Sequence, residues 1–512
     1  MNENGIKEIL MNGECVTLEC KRAKTEVPKS VWETYSAFAN TEGGVILLGI
    51  EEDKKEKDIE KHFKIIGVDD AQKIINDFWN TINSDKVNEN ILVSSDIDTV
   101  KINDVQIVYI HVPQADWRIK PIYLNGNVYK GTYRRNHEGD YHCTERQVRS
   151  MIRDSFDDGN DGMLLEHYDM NDIDMDTLHR YRTLFQYRND GHVWNEVDDK
   201  IFLKNLGGYI IDRVTNKEGL TMAGLMMFGK GLSVQERFAN FRMDYIDFCN
   251  LIGDERYRDR LTYDGRWENN LYQFFSRVIP KVTADLPRPF RMEGIQRVDD
   301  TPQHKAVREA FINAIIHSDL LLDAGILRIE KHDDRLCFRN PGLLKLPIEM
   351  IYEGGNSKAR NPRIQNMLRM IGYGENVGSG FPQIIAAWKD TNWGEPQLLN
   401  RLDIDEVELI LPIPSPKGVL KSVPINIAIK ISDVLKDVLK DVHKDILKEL
   451  TDRQIVILET IYTTPNVTQQ ELSIKLKVSQ KTIQREFSAI RKLGINIYRQ
   501  DGRKEGEWVI KV

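Results

Sequence analysis

Between residues 13 and 150, short apolar runs alternate with polar loops. VTLEC, VILLGI, QIVYIHVP and GNVYKGTYRR carry a strand pattern, while VPKSVWETYSAFAN and AQKIINDFWNTINS carry the spacing of amphipathic helices. The order β-α-β followed by mixed strands predicts an α+β sheet domain over 1–155, closed by the turn-rich DDGNDGM. Residues 160–300 predict a helical middle region with one internal strand around LTMAGLMMFGK. Residues 301–413 predict a helix from Lys305 to Ser318, then strands at ILRIEKHD, RLCFRN and VELILPI. From Pro414 the pattern changes: ISDVLKDVLKDVHKDILKEL repeats every four residues, so at 100° per residue its apolar pairs drift about 40° per repeat around a helix. Residues 414–450 are thus a linker and an amphipathic helix. That helix is either solvated or, through the exposed stripe of its 431–450 portion, self-associating. Residues 451–512 predict three helices and a hairpin.

A chain of 512 residues exceeds one core, and at roughly 100–200 residues per domain it predicts three to five units. Lys plus Arg minus Asp plus Glu is 71 − 79 = −8, so any nucleic-acid contact must be local rather than a property of the whole surface. Such a local patch exists. Residues 451–512 hold 11 Lys/Arg against 7 Asp/Glu, or 11 − 7 = +4. The five cysteines include no CxxC pair and are odd in number, which fits reduced thiols better than disulfides or a zinc site. With neither a signal-like start nor a long apolar run, the expectation is a soluble, cytoplasmic protein without a membrane partner.

The stretch from Gly224 to Gly231 nearly spells the phosphate-binding loop G-x-x-x-x-G-K-[ST], but Gly231 lacks the hydroxyl needed for Mg²⁺. Its intervening Leu-Met-Met-Phe predicts a buried strand followed by a turn instead. A different nucleotide site is suggested by HKAVREAFINAIIHSD at 304–319. Glu309, Asn313 and His317 recur at four-residue spacing and share one helix face, while Val307, Ala310, Phe311, Ala314 and Ile315 can pack inward. Three segments downstream add to it: RNPG at 339–342, the basic GGNSKARNP at 354–362, and the glycine-rich GYGENVGSGF at 372–381.

In this order, helix, turn, lid and glycine loop resemble the GHKL ATP-binding fold, an α/β sandwich, in the divergent form joined to Schlafen-type domains. The resemblance covers about 300–412. It implies ATP bound with Mg²⁺ held at Asn313, Glu309 as general base, and Asn340 standing where the family's base-reading Asp usually is. It further implies Gly342 in the turn, Lys358, Arg360 and Asn361 in a lid over the phosphates, and Gly378 and Gly380 as the paired glycines, with His317 beside them.

The N-terminal LECK and SAFANTEGGVILLGIEE resemble the Schlafen AlbA_2 domain over about 13–145. RNA-cleaving Schlafen proteins carry two Glu five residues apart and a later Asp. Glu14 and Glu19 keep that spacing, and Glu52 takes the Asp position. The resemblance therefore implies either a metal-dependent nuclease, with these acids holding Mg²⁺ or Mn²⁺ and Lys21 near the scissile phosphate, or a non-catalytic nucleic-acid-binding domain. Arg134 and Arg135, near Tyr129 and Tyr133, are the candidate phosphate contacts.

The C-terminal TQQELSIKLKVSQKTIQRE resembles a winged helix-turn-helix, which implies Gln480, Lys481, Gln484 and Arg485 on the recognition helix and Arg503 and Lys504 at the wing tip. The whole predicts an ATP-responsive nucleic-acid-binding protein, with DNA as the first expectation and RNA as the second. The expected role is that of a DNA-binding regulator or bacterial defence effector, and homo-oligomers are expected through the ATP domain or the 431–450 helix. The alternative is an ATP-gated nuclease.

Overall fold

The computed structural model describes residues 16–52, 63–102, 104–137, 139–156, 159–251, 253–288, 300–374, 380–389 and 391–414, with short stretches near 5–10, within 292–297 and between 454 and 511. The chain divides into two compact units, 1–418 and 419–512.

In the first unit, the N-terminal sheet runs in the order Leu18–Lys21, Gly44–Leu48, Val105–Val112, Ile97–Ile102. The first two strands are parallel, joined by the crossover helix Val31–Asn40; the other pairings are antiparallel. Both faces of this sheet are buried. Ile46, Leu48, Val108 and Ile110 pack under the helices with Tyr35, Phe38 and Phe78, while Leu18, Leu47 and Ile107 face a smaller cluster with Ile6. Ile97–Ile102 escaped the sequence reading because its polar residues interrupt a short apolar pattern.

The motif SAFANTEGG closes this domain by hydrogen bonds. Asn40 Nδ2 donates to the carbonyls of Ile122 (2.7 Å) and Tyr133 (3.0 Å), and its Oδ1 accepts from Ile122 N (2.8 Å). Ser36 Oγ donates to Ile122 O, and Thr41 Oγ1 accepts from Arg135 N. Gly43 sits at φ +77°, where a Cβ would also press on Val112 O at 2.8 Å.

The second sheet has six strands, ordered Asp259–Leu261, Arg242–Asp247, Ile326–Lys331, Arg335–Pro341, Glu406–Pro412, Gln397–Arg401. Only Arg242–Asp247 with Ile326–Lys331 is parallel. One sheet thus draws strands from both sides of the expected boundary at residue 300, and one core runs from Leu165 to Ile413. The middle region also carries the hairpin Tyr209–Ile211 and Glu218–Leu220.

One expectation is corrected: Met222–Phe228 is a buried α-helix rather than the expected strand. Its seven residues are all buried, so no polar position marked a period that could tell helix from strand. The local signal was Thr221, whose hydroxyl caps the helix by accepting from Gly224 N.

In the second unit, Asn496–Gln500 and Glu507–Lys511 form the antiparallel hairpin. Helical positions Ile457, Leu458, Ile461, Leu472, Ile483, Phe487 and Ile490 are buried. The 431–450 helix lies outside the described residues.

Candidate nucleotide site and nucleic-acid surfaces

The helix Pro302–Ile316 begins on Thr301, whose side chain accepts from His304 N, with Pro302 at its first position. Val307, Ala310, Phe311, Ala314 and Ile315 are buried, as the spacing predicts. The polar stripe opens into a cavity whose wall holds Glu309, Asn313 and His317, together with Asn340, Lys358 and Gly380. Phe338, Leu398, Val407 and Leu409 give it an apolar floor from the sheet.

Three of these groups crowd one end. Burial raises the Glu309 carboxyl above the usual carboxylate range, and a hydrogen bond from Asn313 partly offsets this. A Cβ on Gly380 would run into Glu309 Oε1 and lie 3.2 Å from Asn313 Nδ2. Glycine there lets the backbone close on the polar stripe. His317 caps the helix C-terminus; burial first, then Arg360 and Lys345, lower its pKa to about 4, so the imidazole is neutral near pH 7. Gly378 lies outside the described residues. A carboxamide touching a desolvated carboxylate, beside a glycine with no room for a side chain, fits an oxygen-ligated divalent ion and phosphates.

The lid expectation is corrected at two positions. Arg360 is 4% exposed: its guanidinium donates to both Asp154 oxygens (2.9 and 2.7 Å), to Leu343 O (2.6 Å) and to His317 O (2.9 Å). Asn361 is buried and donates to Ile315 O and Ser318 O. Both residues anchor the segment through these bonds, although Arg360 also borders the cavity. Lys358 instead faces the cavity, with its Nζ 4.9 Å from the Trp117 ring centre; Lys345 Nζ is 4.0 Å from the same ring. Gly342, at φ +95°, donates from its N–H to Asp405 O.

Arg360 belongs to a seam joining the N-terminal domain to the cavity. Arg134 meets Asp405 at 2.7 Å and Arg153 meets Asp319 at 2.8 Å. Sequence reasoning missed this seam, because its partners lie 166 to 271 positions apart and no local pattern links them.

The seam also corrects the expected phosphate contacts of the N-terminal domain. Arg134 is buried against Asp405. Arg135 is 1% exposed, ion-paired to Glu19 (2.7 Å) and Asp140 (2.9 Å), and donates to Leu18 O. Neither arginine is presented to solvent. Glu19 is doubly engaged, since Lys21 Nζ also lies 2.6 Å from it. Glu52 ends the short strand Ile50–Glu52, and Glu14 lies outside the described residues. Tyr129 is exposed, while the Tyr133 ring packs against His142 at a 32° tilt.

Among the described residues, one group could gather a metal by distance: Glu330, His332 and Cys337, with donor atoms within 4.8 Å of one another. Arg339 and Arg328 already flank Glu330 at 3.5 and 4.0 Å, and burial pushes the Cys337 thiol up to about 12. Those features suit a charge network better than a thiolate ligand set. Cys20, Cys143, Cys249 and Cys337 are buried cysteines outside any disulfide. In the second unit Arg485 is exposed. Gln480, Lys481, Gln484, Arg503 and Lys504 lie outside the described residues. Among the described residues no helix is long and apolar enough to cross a membrane.

Comparison with known proteins adds four family matches. Residues 14–144 match the Schlafen AlbA_2 domain, 149–244 a domain of unknown function, 326–411 the family described as putative ATP-dependent DNA helicase recG C-terminal, and 453–506 an HTH domain. No curated protein matches the chain. Among solved structures, the DIP2311 protein from Corynebacterium diphtheriae is 17% identical, with 99% of this chain and 96% of that one covered and a TM-score of 0.37. The N-terminal domain of a putative ATP-dependent DNA helicase RecG-related protein from Nitrosomonas europaea is 24% identical over 28% of this chain and 94% of its own, at a TM-score of 0.22. The chain therefore joins a Schlafen AlbA_2 domain, an ATPase-like domain and a helix-turn-helix domain, a set that belongs to nucleic-acid-related, ATP-dependent proteins.

Proposed function

We propose that the chain is an ATP-responsive nucleic-acid-binding regulator, with a GHKL-type site in the cavity under helix Pro302–Ile316. One observation carries this reading: Glu309, desolvated and in contact with Asn313, faces a hollow beside a glycine that leaves no space for a side chain. Glu309 is suited to accept a proton from the water that attacks the terminal phosphate, as the bond to the leaving phosphate breaks. Mg²⁺ held at the Asn313 carboxamide would neutralise the charge on the phosphates. Lys358 and Lys345 supply positive charge at the mouth, and the neutral His317 adds polarity without a competing charge.

Occupancy of this hollow has a route to the N-terminal domain. Arg360 holds the carbonyl of His317 on one side and Asp154 on the other. The helix-turn-helix domain is the natural duplex reader, through Arg485 and Lys481. The nuclease alternative is weakened by Glu19, whose charge is already met by Lys21 and Arg135.

Calorimetric titration of the full chain with MgATP tests the reading. Saturable uptake that is lost in Asn313→Ala is expected, and absence of uptake for every magnesium nucleotide would end it. For the duplex reader, Lys481→Glu with Arg485→Glu should weaken DNA binding; unchanged affinity would assign that domain to protein contacts.

A further inference from the structure

A second cavity lies at the seam between the AlbA_2 and ATPase-like domains, bordered by Lys120, Arg134, Asp154, Lys345, Arg360 and Asp405. Lys345 and Arg360 border the nucleotide cavity as well. Four cationic groups thus face two carboxylates, a surplus of two positive charges. Both carboxylates are already engaged, Asp405 by Arg134 and Asp154 by Arg360, each at 2.7 Å. Lys120 has no such partner. Its Nζ donates to Asn40 O at 3.2 Å and makes no other hydrogen bond or ion pair among the described residues. Two of its three N–H donors are therefore unspent. Part of the side chain stays accessible, yet the surrounding protein desolvates the ammonium. That desolvation, and after it the charge of Arg134, push the Lys120 pKa down to about 7. Three carboxylates oppose the shift, and each has its own partner: Asp154 has Arg360, Asp116 has Arg118 and Glu42 has Asn400. A lysine short of countercharge, in a hollow already rich in positive charge, is favoured as a cation only when an anion joins it.

We infer that this hollow binds a tetrahedral dianion of the phosphate and sulfate class, held by Lys120 of the AlbA_2 domain and Lys345 of the ATPase-like domain. The inference stands whether or not the neighbouring cavity takes a nucleotide. A dianion matches the surplus of two charges, whereas chloride or a single carboxylate meets half of it. Arg134 adds a guanidinium whose five donors exceed the two bonds it gives to Asp405 and Leu402 O. Charge-assisted hydrogen bonds of this kind are about twice as strong as neutral ones. Since the donors come from both domains, an anion lodged among them ties the seam together and stabilises the joined state by mass action. Free phosphate and the head of a phosphate monoester share this chemistry.

The test is calorimetry on the full chain with sodium sulfate, sodium phosphate and methyl phosphate, each with and without saturating MgATP. Saturable uptake of one sulfate or phosphate per chain is expected, undiminished by MgATP. Methyl phosphate binding as well as phosphate would support a monoester as the ligand, and its exclusion would support the free ion. Lys120→Gln should weaken uptake by roughly 10- to 100-fold, the loss of one charged hydrogen bond, and Lys120→Arg should restore most of it. Uptake abolished by MgATP would place the anion in the nucleotide cavity and overturn the inference. Equal uptake by Lys120→Gln, or uptake only at about 100 mM anion, would overturn it too. The wild-type titrations need no variant, so they decide the matter even if Lys120→Gln fails to fold. A chain that takes sulfate but no magnesium nucleotide would refute the nucleotide reading alone.

Discussion

The cavity under Pro302–Ile316 and the acid-and-arginine cluster of the AlbA_2 domain look alike in sequence, and the fold uses them in opposite ways. In both, charged and polar residues sit at motif spacing beside buried apolar runs. In the cavity they line a hollow: Glu309 is desolvated, and Asn340 Nδ2 has no hydrogen-bond partner among the described residues. In the AlbA_2 domain they meet one another, as Glu19, Lys21, Arg135 and Asp140 form a closed ion-pair cluster with Arg135 at 1% exposure. Polar groups that find partners within the chain serve its architecture. Polar groups that stay short of partners while shielded from water are the ones free to meet a ligand.

Four substitutions test this contrast, and the largest effect is expected at the cavity. Glu309→Gln should lower ATP hydrolysis by about 10²–10⁴-fold while calorimetric nucleotide binding persists. Undiminished phosphate release would remove Glu309 from the chemistry. The raised Glu309 pKa has a signed consequence for the wild type. Its proton-accepting carboxylate is lost as pH falls through that raised value, so the acid limb of the rate profile should lie at higher pH than for an ordinary carboxylate. A pH–rate series at saturating nucleotide checks this, and an acid limb in the ordinary carboxylate range contradicts it.

Next in size, Asp154→Ala leaves the buried Arg360 guanidinium without its bidentate partner. It should cost about 3–5 kcal/mol of stability, read as a lowered urea midpoint. A loss well below 1 kcal/mol would mean that the seam does not hold the two domains.

Glu19→Gln sharpens the other side of the comparison. As a structural partner of Arg135 it should cost roughly 1–3 kcal/mol in the same measurement. Unchanged stability combined with loss of an Mn²⁺-dependent nuclease activity would restore Glu19 as a catalytic acid. The smallest effect is expected from Lys358→Ala, which removes one cation–π contact to Trp117 worth about 0.5–1 kcal/mol. Its stability change should be barely resolvable, whereas nucleotide affinity should fall measurably if this lysine serves the phosphates.

Much of this was legible in the chain. The helix spacing puts Glu309, Asn313 and His317 on one helix face, which lines the cavity, and the strand patterns locate three of the four strands of the first sheet and three of the six of the second. The failures share a cause. Met222–Phe228 was misread because uniform burial erases the period that separates helix from strand. Arg134 and Arg135 carry the pattern of nucleic-acid phosphate contacts and Arg360 that of a phosphate lid, because a guanidinium bears no sequence mark of the carboxylate that will meet it.

The sequence by itself determined the periodic elements, the polar stripe of the 302–316 helix and the basic balance of the C-terminal unit, since each depends on residues a few positions apart. Only the tertiary structure decided which charges are spent on one another, that one sheet spans residues 242 to 412, and that Asn340 Nδ2 in the cavity wall meets no partner among the described residues. The seam pairings join groups 166 to 271 positions apart, and no local pattern encodes them.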